Sequence, residues 1–573
     1  MAHRNALAAI SLVVVLALLL AGCGATPTAA PTAAPTAAPT KAAVEPTKAP
    51  GQVTAVPTAA ATAVPTKAVQ PTAAPTKAVA AGQTLIIGSG LADLGTADPH
   101  NERTGIARAV IDMMFNHLVR FKPGTYSAET VEPDLAESWK LSEDKLTWTF
   151  TLRKGVKWHQ GFGEVTADDV KFSVDRMMEP ATGGRMPEKV SLAGVTVVDK
   201  YTVAIKTKAP DPFFLFQLAD IDSYIAPKAA FDKYGKDYIK YLPGSGPFML
   251  ESYTPKQKVV LAANEDYFRG APSIKRIEVL FVADETARHA AFLSGKIDLT
   301  EYRGDFASYL SAVSKAGIKW DIYQPGAIGN SFIDVTKKPF DDIRVRQALA
   351  YAVDLPTYVN GLKFPGADAY TVTSAGFIGV PGVLGYTEEG ITKYDYNPTK
   401  AKQLLADAGY ANGLKITVSV SNAAGWQQFM VYLQDQFKKV GITLEIVTVD
   451  NATFLQKSLA GENRPFTPYT TEAYPDAYLF LSRQFLPGAE RYAFTNYDKV
   501  ADLIRKAGQE FDPEKRKAIY KEIGQKISQD AVVLPGTYTP NVLARQPYVD
   551  LGYDFKASMS VFYADNEKTQ IKK

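Results

Sequence analysis

Cysteine occurs once in 573 residues, at position 23. One thiol excludes an internal disulfide framework. Histidine is almost as scarce. Beyond His3 the sequence holds only His100, His117, His159 and His289, and no two stand at metal-ligand spacing. No H-E-x-x-H, G-x-S-x-G or phosphate-loop pattern occurs. Acid pairs such as Asp168-Asp169 and Asp341-Asp342 fall at helix starts, where capping accounts for them. Charge of one sign is lacking too. The 63 Lys and Arg against 60 Asp and Glu leave +3, spread along the chain, too weak a balance for a nucleic-acid surface. No catalytic residue, metal or other cofactor, and no nucleic-acid partner, is therefore expected. Long apolar runs are absent with one exception. Ala6 to Ala21 is 16 residues broken only by Ser11, short for a membrane span and ordinary for the core of an export signal.

That run ends in Leu20-Ala21-Gly22-Cys23, which resembles the lipobox of bacterial lipoproteins. The resemblance implies cleavage before Cys23 and lipidation of its sulfur, hence anchoring on the outer face of the cytoplasmic membrane. Residues 1–23 are thus expected to be a lipoprotein signal peptide. Residues 24–82 repeat Pro-Thr with Ala spacers and have nothing with which to build a core. They are expected to be a disordered, polyproline-like stalk. Fully extended, the stalk would span about 180 Å at about 3.1 Å per residue.

From Gln83 onward strand and helix patterns alternate, the mark of an α/β protein. Trp148, Phe150 and Leu152 alternate with Thr147, Thr149 and Thr151, a strand with one buried face. Thr166 reads as the N-cap of a helix that buries Val170, Val174, Met177 and Met178. Asn397-Pro398 starts another helix, which ends at Gly409. The clearest unit is a βαβ: strand 414–420, a helix with Trp426, Phe429, Met430, Leu433 and Phe437 on one face, then strand 442–449. Ligands of open α/β sheets bind beyond the carboxyl ends of the strands. That rule places Asn422 and Trp426 at a candidate site. Leu91, after the glycine-rich turn that ends the first strand, is another candidate contact.

The wording of Ala136 to Met178, A-E-S-W … L-T-W-T-F-T-L-R-K-G-V-K-W-H … T-A-D-D-V-K-F-S, closely resembles the signature segment of the extracellular solute-binding proteins of family 5. These serve ABC importers of peptides, nickel and oligosaccharides. Phe115-Asn116-His117-Leu118-Val119, Gly244-Ser245-Gly246-Pro247-Phe248, Ser294-Gly295-Lys296-Ile297-Asp298 and Phe340-Asp341-Asp342-Ile343-Arg344 resemble further family segments, in family order. The resemblance implies a two-lobed periplasmic-binding-protein-like fold (type II, large cluster C type). It would have mixed sheets flanked by helices and an extra insert domain, closing on solute like a clam. Lobe I is expected at 83–121, 202–334 and 536–573, the insert at 122–201 and lobe II at 335–535. Hinge crossings are expected at Pro325 to Val335 and Leu534 to Asn541, with Asn330, Val335 and Pro535 as hinge candidates. A monomer that hands solute to ABC permease subunits is implied. A surface hydrolase or a non-transport sensor on the same fold is the alternative.

Peptide-binding members of that family usually carry W-x-x-D-Y followed by D-P or E-P, and the first Asp holds the peptide's α-ammonium. The similar stretch here is Thr470 to Phe480. Tyr474-Pro475-Asp476 fits, but Thr470 stands at the Trp position and Ala473 at that of the ammonium-binding Asp. A buried cation without a counter-charge is costly. Glu472 or Asp476 would have to take over, or the solute lacks the amine. Tyr469, Tyr474, Tyr478 and Trp426 are aromatic faces suited to an oligosaccharide. The expected solute is a peptide or an oligosaccharide; nickel is disfavoured by the sparse histidine.

Overall fold

The computed structural model describes residues 83–573 apart from 103–104, 183, 185, 187–189, 303–316, 363–382, 423, 463–465, 473, 475, 490, 558–565 and 573. The expected signal peptide, Cys23, the stalk and Ala473 lie outside the described residues. In chain order the strands that concern us are β1 (Thr84–Ser89), β2 (Ala136–Leu141), β3 (Thr147–Leu152), β4 (Leu192–Asp199) and β5 (Thr202–Thr207). These are followed by β6 (Phe248–Thr254), β7 (Lys258–Ala263), β8 (Arg276–Phe281), β9 (Leu299–Tyr302) and β10 (Lys319–Ile333). The last are β11 (Leu414–Ser421), β12 (Ile442–Val449), β13 (Phe466–Glu472) and β14 (Val533–Arg545).

An eight-stranded mixed sheet, in the order β13-β10-β14-β9-β1-β8-β7-β6, runs through the molecule. β1 lies parallel to both β8 and β9, whereas β10, β14 and β13 pair antiparallel. The long strands β10 and β14 are its backbone. Their outer ends join a core that includes Leu85, Ile87, Ile277, Val279, Tyr323 and Leu543. Their other ends, Ile333 and Leu534, join a different core with Val345, Leu349, Val418, Phe429 and Leu433. The chain therefore passes between the two halves along these two strands. The expected crossing at Leu534 to Asn541 lies within β14, and that at Pro325 to Val335 begins in β10 and runs past its end at Ile333.

The signature stretch folds as its pattern requires. Trp148, Phe150 and Leu152 are buried, while the alternating threonines are half-exposed. Asp169 reaches back to the Thr166 N–H at 3.0 Å, closing the start of helix α1 (Ala167–Met178), whose Val170, Val174 and Met177 are buried. A four-stranded antiparallel sheet, β2-β3-β5-β4, holds this module together. The module is wider than the expected 122–201. β5 lies beyond 201 yet pairs with both β3 and β4, and the module's core continues through Phe214 and Leu218 of helix α2 (Phe214–Leu218) to Ile225.

In the second half, Asp342 caps helix α3 (Ile343–Tyr351) and Asn397 caps helix α4 (Pro398–Asp407). The βαβ unit is realised as β11, helix α5 (Ala424–Lys438) and β12, the strands parallel in register from Leu414↔Ile442 to Ser421↔Val449. Helices α6 (Ala477–Phe485) and α7 (Pro513–Gln529) complete this half, with Phe480, Leu481, Tyr520 and Ile523 in its second core.

Candidate functional site

The place where β10 and β14 cross between halves is set by two glycines. A Cβ on Gly536 would lie 2.0 Å from the Gly329 carbonyl oxygen, so no side chain fits there. The strand register slips between Tyr323 and Ala327 and again between Ile328 and Asn330. Such irregularities bend a strand and increase its twist. Of the residues expected here, Asn330 is 2% exposed and pairs in register with Pro535, and its side-chain oxygen accepts the Gly536 N–H at 3.4 Å. Val335 lies just past the end of β10, and its N–H donates to Thr495 O at 3.0 Å. The glycine pair was missed in the sequence, although G-A-I-G-N and L-P-G-T both place a glycine inside an expected strand.

Beside this crossing, at the seam between halves, stands Trp426. On the first turns of α5, it is half-buried. Its indole N–H donates to Thr470 Oγ1 at 2.8 Å, and a Cβ on Gly329 would sit 3.5 Å from its ring. Thr470 is in β13, directly opposite Gly329 in β10. Trp426 also stands edge-on to Phe429 at 5.9 Å, which fixes its tilt. Asn422, at the carboxyl end of β11, is exposed, with its N–H bonded to Val449 O at 2.9 Å. Tyr469 is half-buried, with the Arg491 guanidinium 4.9 Å above its ring. The Tyr474 hydroxyl accepts a 2.6 Å hydrogen bond from Arg483.

Asp476 and Tyr478 are placed differently from the expectation. Asp476 is 5% exposed and caps α6, accepting the Tyr478 N–H at 2.9 Å. Its other oxygen pairs with Arg516 Nε at 3.3 Å, and the Tyr520 hydroxyl also hydrogen-bonds to the carboxylate. Burial pushes its pKa up, and these donors oppose that. The carboxylate is thus engaged by Arg516, Tyr520 and the start of its own helix. Tyr478 stacks on Phe213, from the other half, with centroids 4.7 Å apart and planes 3° from parallel. Leu91 is 8% exposed and belongs to the first core, with its N–H on Ser89 Oγ at 3.1 Å. It packs in that core. The side chain of Glu472 is outside the described set.

His100, His117, His159 and His289 all have pKa values lowered to about 4, burial being the first cause of each. Among the described residues no group of His, Cys, Asp and Glu is arranged to hold a metal ion. Cavities are found in both halves. One of about 240 Å³ inside the second half is walled by Val353, Leu355, Phe429 and Leu433. A smaller polar one of about 80 Å³ is bordered by His117, Asp134, Tyr267 and Arg269.

Comparison with known proteins fits this architecture. Residues 130–492 match the family model described as "Bacterial extracellular solute-binding proteins, family 5 Middle". Heme-binding protein A of Haemophilus influenzae is 30% identical over 490 residues, 78% of this chain and 87% of that protein. The dipeptide-binding protein of Escherichia coli K12 is 30% identical over 449 residues, 71% of this chain and 80% of that protein. Among solved structures, MoaA of A. tumefaciens R10 in complex with mannopinic acid shares 31% sequence identity at a TM-score of 0.72, covering 86% of this chain and 100% of that one. HbpA2 from Haemophilus parasuis shares 26% identity at 0.72, covering 85% and 100%. Two halves joined by two strands, an additional four-stranded module and a matched family segment together make the chain a member of the bacterial extracellular solute-binding proteins of family 5, the extracytoplasmic receptors of ABC importers.

Proposed function

We propose that the protein is a lipid-anchored receptor, tethered through Cys23 and the Pro-Thr-Ala stalk, that captures a solute between its halves and delivers it to an ABC permease. The crossing at Gly329 and Gly536 acts as the hinge, with lobe II at about 335–535 swinging against the rest. No turnover is expected of it. The replacement Cys23→Ser should move the protein from the detergent phase to the aqueous phase on phase partition; retention in the detergent phase would argue against the anchor.

The solute is one that does not depend on a free α-ammonium. The carrying observation is Asp476. It is the acid of the Tyr474-Pro475-Asp476 motif, and it is held by Arg516, Tyr520 and its helix. The aromatic wall is supplied by Trp426, hydrogen-bonded to Thr470 where the peptide-binding pattern has Trp. Similar proteins are named for heme, for a dipeptide and for glutathione, and one is solved with mannopinic acid, a range that supports a solute other than a free peptide. Neutral peptides and oligosaccharides fit this wall, since both bind by stacking and neutral hydrogen bonds.

Mass spectrometry of solute released from natively purified protein identifies it directly. Melting shifts with trialanine, N-acetyl-trialanine and maltotriose test the class. Stabilisation by trialanine that N-acetylation abolishes would refute the reading from Asp476.

A further inference from the structure

The four-stranded module has no assigned part in solute capture, yet it touches the second half at two places. Phe213, at the start of α2, is 1% exposed. Its neighbours Phe214 and Leu218 are anchored in the module's own core. Its ring stacks face to face on Tyr478 of α6. The Arg516 guanidinium of α7 lies 5.2 Å from the same ring, held by Asp476 and by a 2.8 Å bond to Glu510 O. The Tyr478 ring also lies close to Gly508, where an added Cβ would come within 2.5 Å of it. A little further along, Phe511 packs against the module's core and receives Lys145 Nζ, from the β2–β3 turn, 4.7 Å from its ring centre.

These contacts join parts that the chain connects only through the β10–β14 crossing, so a hinge movement there must make or break them unless its axis passes through them. We infer that the four-stranded module is the latch of the closed state, with Phe213 seated between Tyr478 and Arg516 as its bolt. The stack removes two aromatic faces from water and adds the specific energy of a parallel ring pair and a cation over a ring. None of these side chains needs to touch solute. They set how readily the halves part, and hence how long solute is retained. Phe213 is therefore a positioning residue, acting on affinity through the open–closed balance.

The inference rests on hinge closure as proposed above, but its test requires no solute. Full-length protein carrying Cys23→Ser, Lys206→Cys and Lys506→Cys can be spin-labelled at two exposed positions, one on the module and one on the second half. The distance distribution without solute should contain a short, closed component. Phe213→Ala and Tyr478→Ala should each lower the ratio of short to long component by roughly tenfold. Tyr478→Phe, which keeps the stack, should leave it unchanged. Distributions unaltered in both alanine variants, with cooperative melting showing that they are folded, would overturn the latch. So would equal loss in Tyr478→Phe. Overturning the latch would leave the receptor reading intact, whereas absence of any solute response in the parent protein would count against the receptor reading alone.

Discussion

At the scale of single residues, the indole–hydroxyl contact of Trp426 and Thr470 contributes only about 1 kcal/mol as a hydrogen bond, but it orients the largest aromatic face at the seam. Thr470→Val should lower stability by about 1 kcal/mol in urea titration and free the indole to tilt. Trp426→Ala should weaken binding of the natively released solute at least tenfold by calorimetry, since a stacking face is removed outright. Equal affinity in Trp426→Ala would move the solute site elsewhere. Asp476 belongs to another class. Removing it strands Arg516, 4% exposed, without its charge partner. Asp476→Ala should therefore cost about 3 kcal/mol or more in unfolding free energy, while leaving any preference between charged and capped solutes unchanged. The sequence showed an acid at the right place in a motif. It could not show that Arg516 and Tyr520, some forty residues on, would converge on it, because that pairing exists only once α6 and α7 pack together.

Elements whose identity rests on local periodicity were legible. The threonine–aromatic alternation of β3, the Thr166 start of α1 and the β11–α5–β12 unit all depend on neighbours within a few residues, so pattern and structure agree. The edges of the module were not legible, because β5 joins its sheet through pairing with β3, some fifty residues earlier, and no local signal ends at 201. The expectation of crossings came from family resemblance; the close approach of the two backbones at Gly329 and Gly536 is again long-range. That feature gives a prediction. Gly536→Ala would drive a methyl into the Gly329 carbonyl and force β10 and β14 apart. Overpacking of this kind costs about 1–3 kcal/mol. Reduced denaturant midpoint and an altered open–closed distance distribution are both expected. A neutral effect on both would mean that the crossing is not tightly packed.

Across the whole molecule, the latch carries its own dependence on pH. Asp211, two residues before Phe213, accepts the Phe213 N–H at 2.8 Å, and burial raises its pKa to about 6. The groups facing it from the second half are the Tyr478 phenol and, behind that, the Asp476 and Arg516 pair. If the halves part, the Asp211 carboxyl is rehydrated and returns toward the ordinary value of 3.8. The closed form thus holds the proton more tightly than the open form. Closure is then favoured at acid pH and loses that contribution as pH rises from about 4 to about 6, with little further change above. The buried histidines act with the opposite sign on a different equilibrium. Their values near 4 in the folded chain mean that unfolding takes up protons, so global stability falls as pH drops below about 6.5. The two effects separate experimentally, because inter-lobe distance reports closure and melting reports unfolding. Between about pH 4.5 and about pH 7 the short-distance component should shrink while the melting temperature rises. Asp211→Asn, uncharged throughout, should abolish the first trend and leave the second. A short component that does not change with pH in the parent protein, or that changes equally in Asp211→Asn, would exclude Asp211 as the source of the dependence.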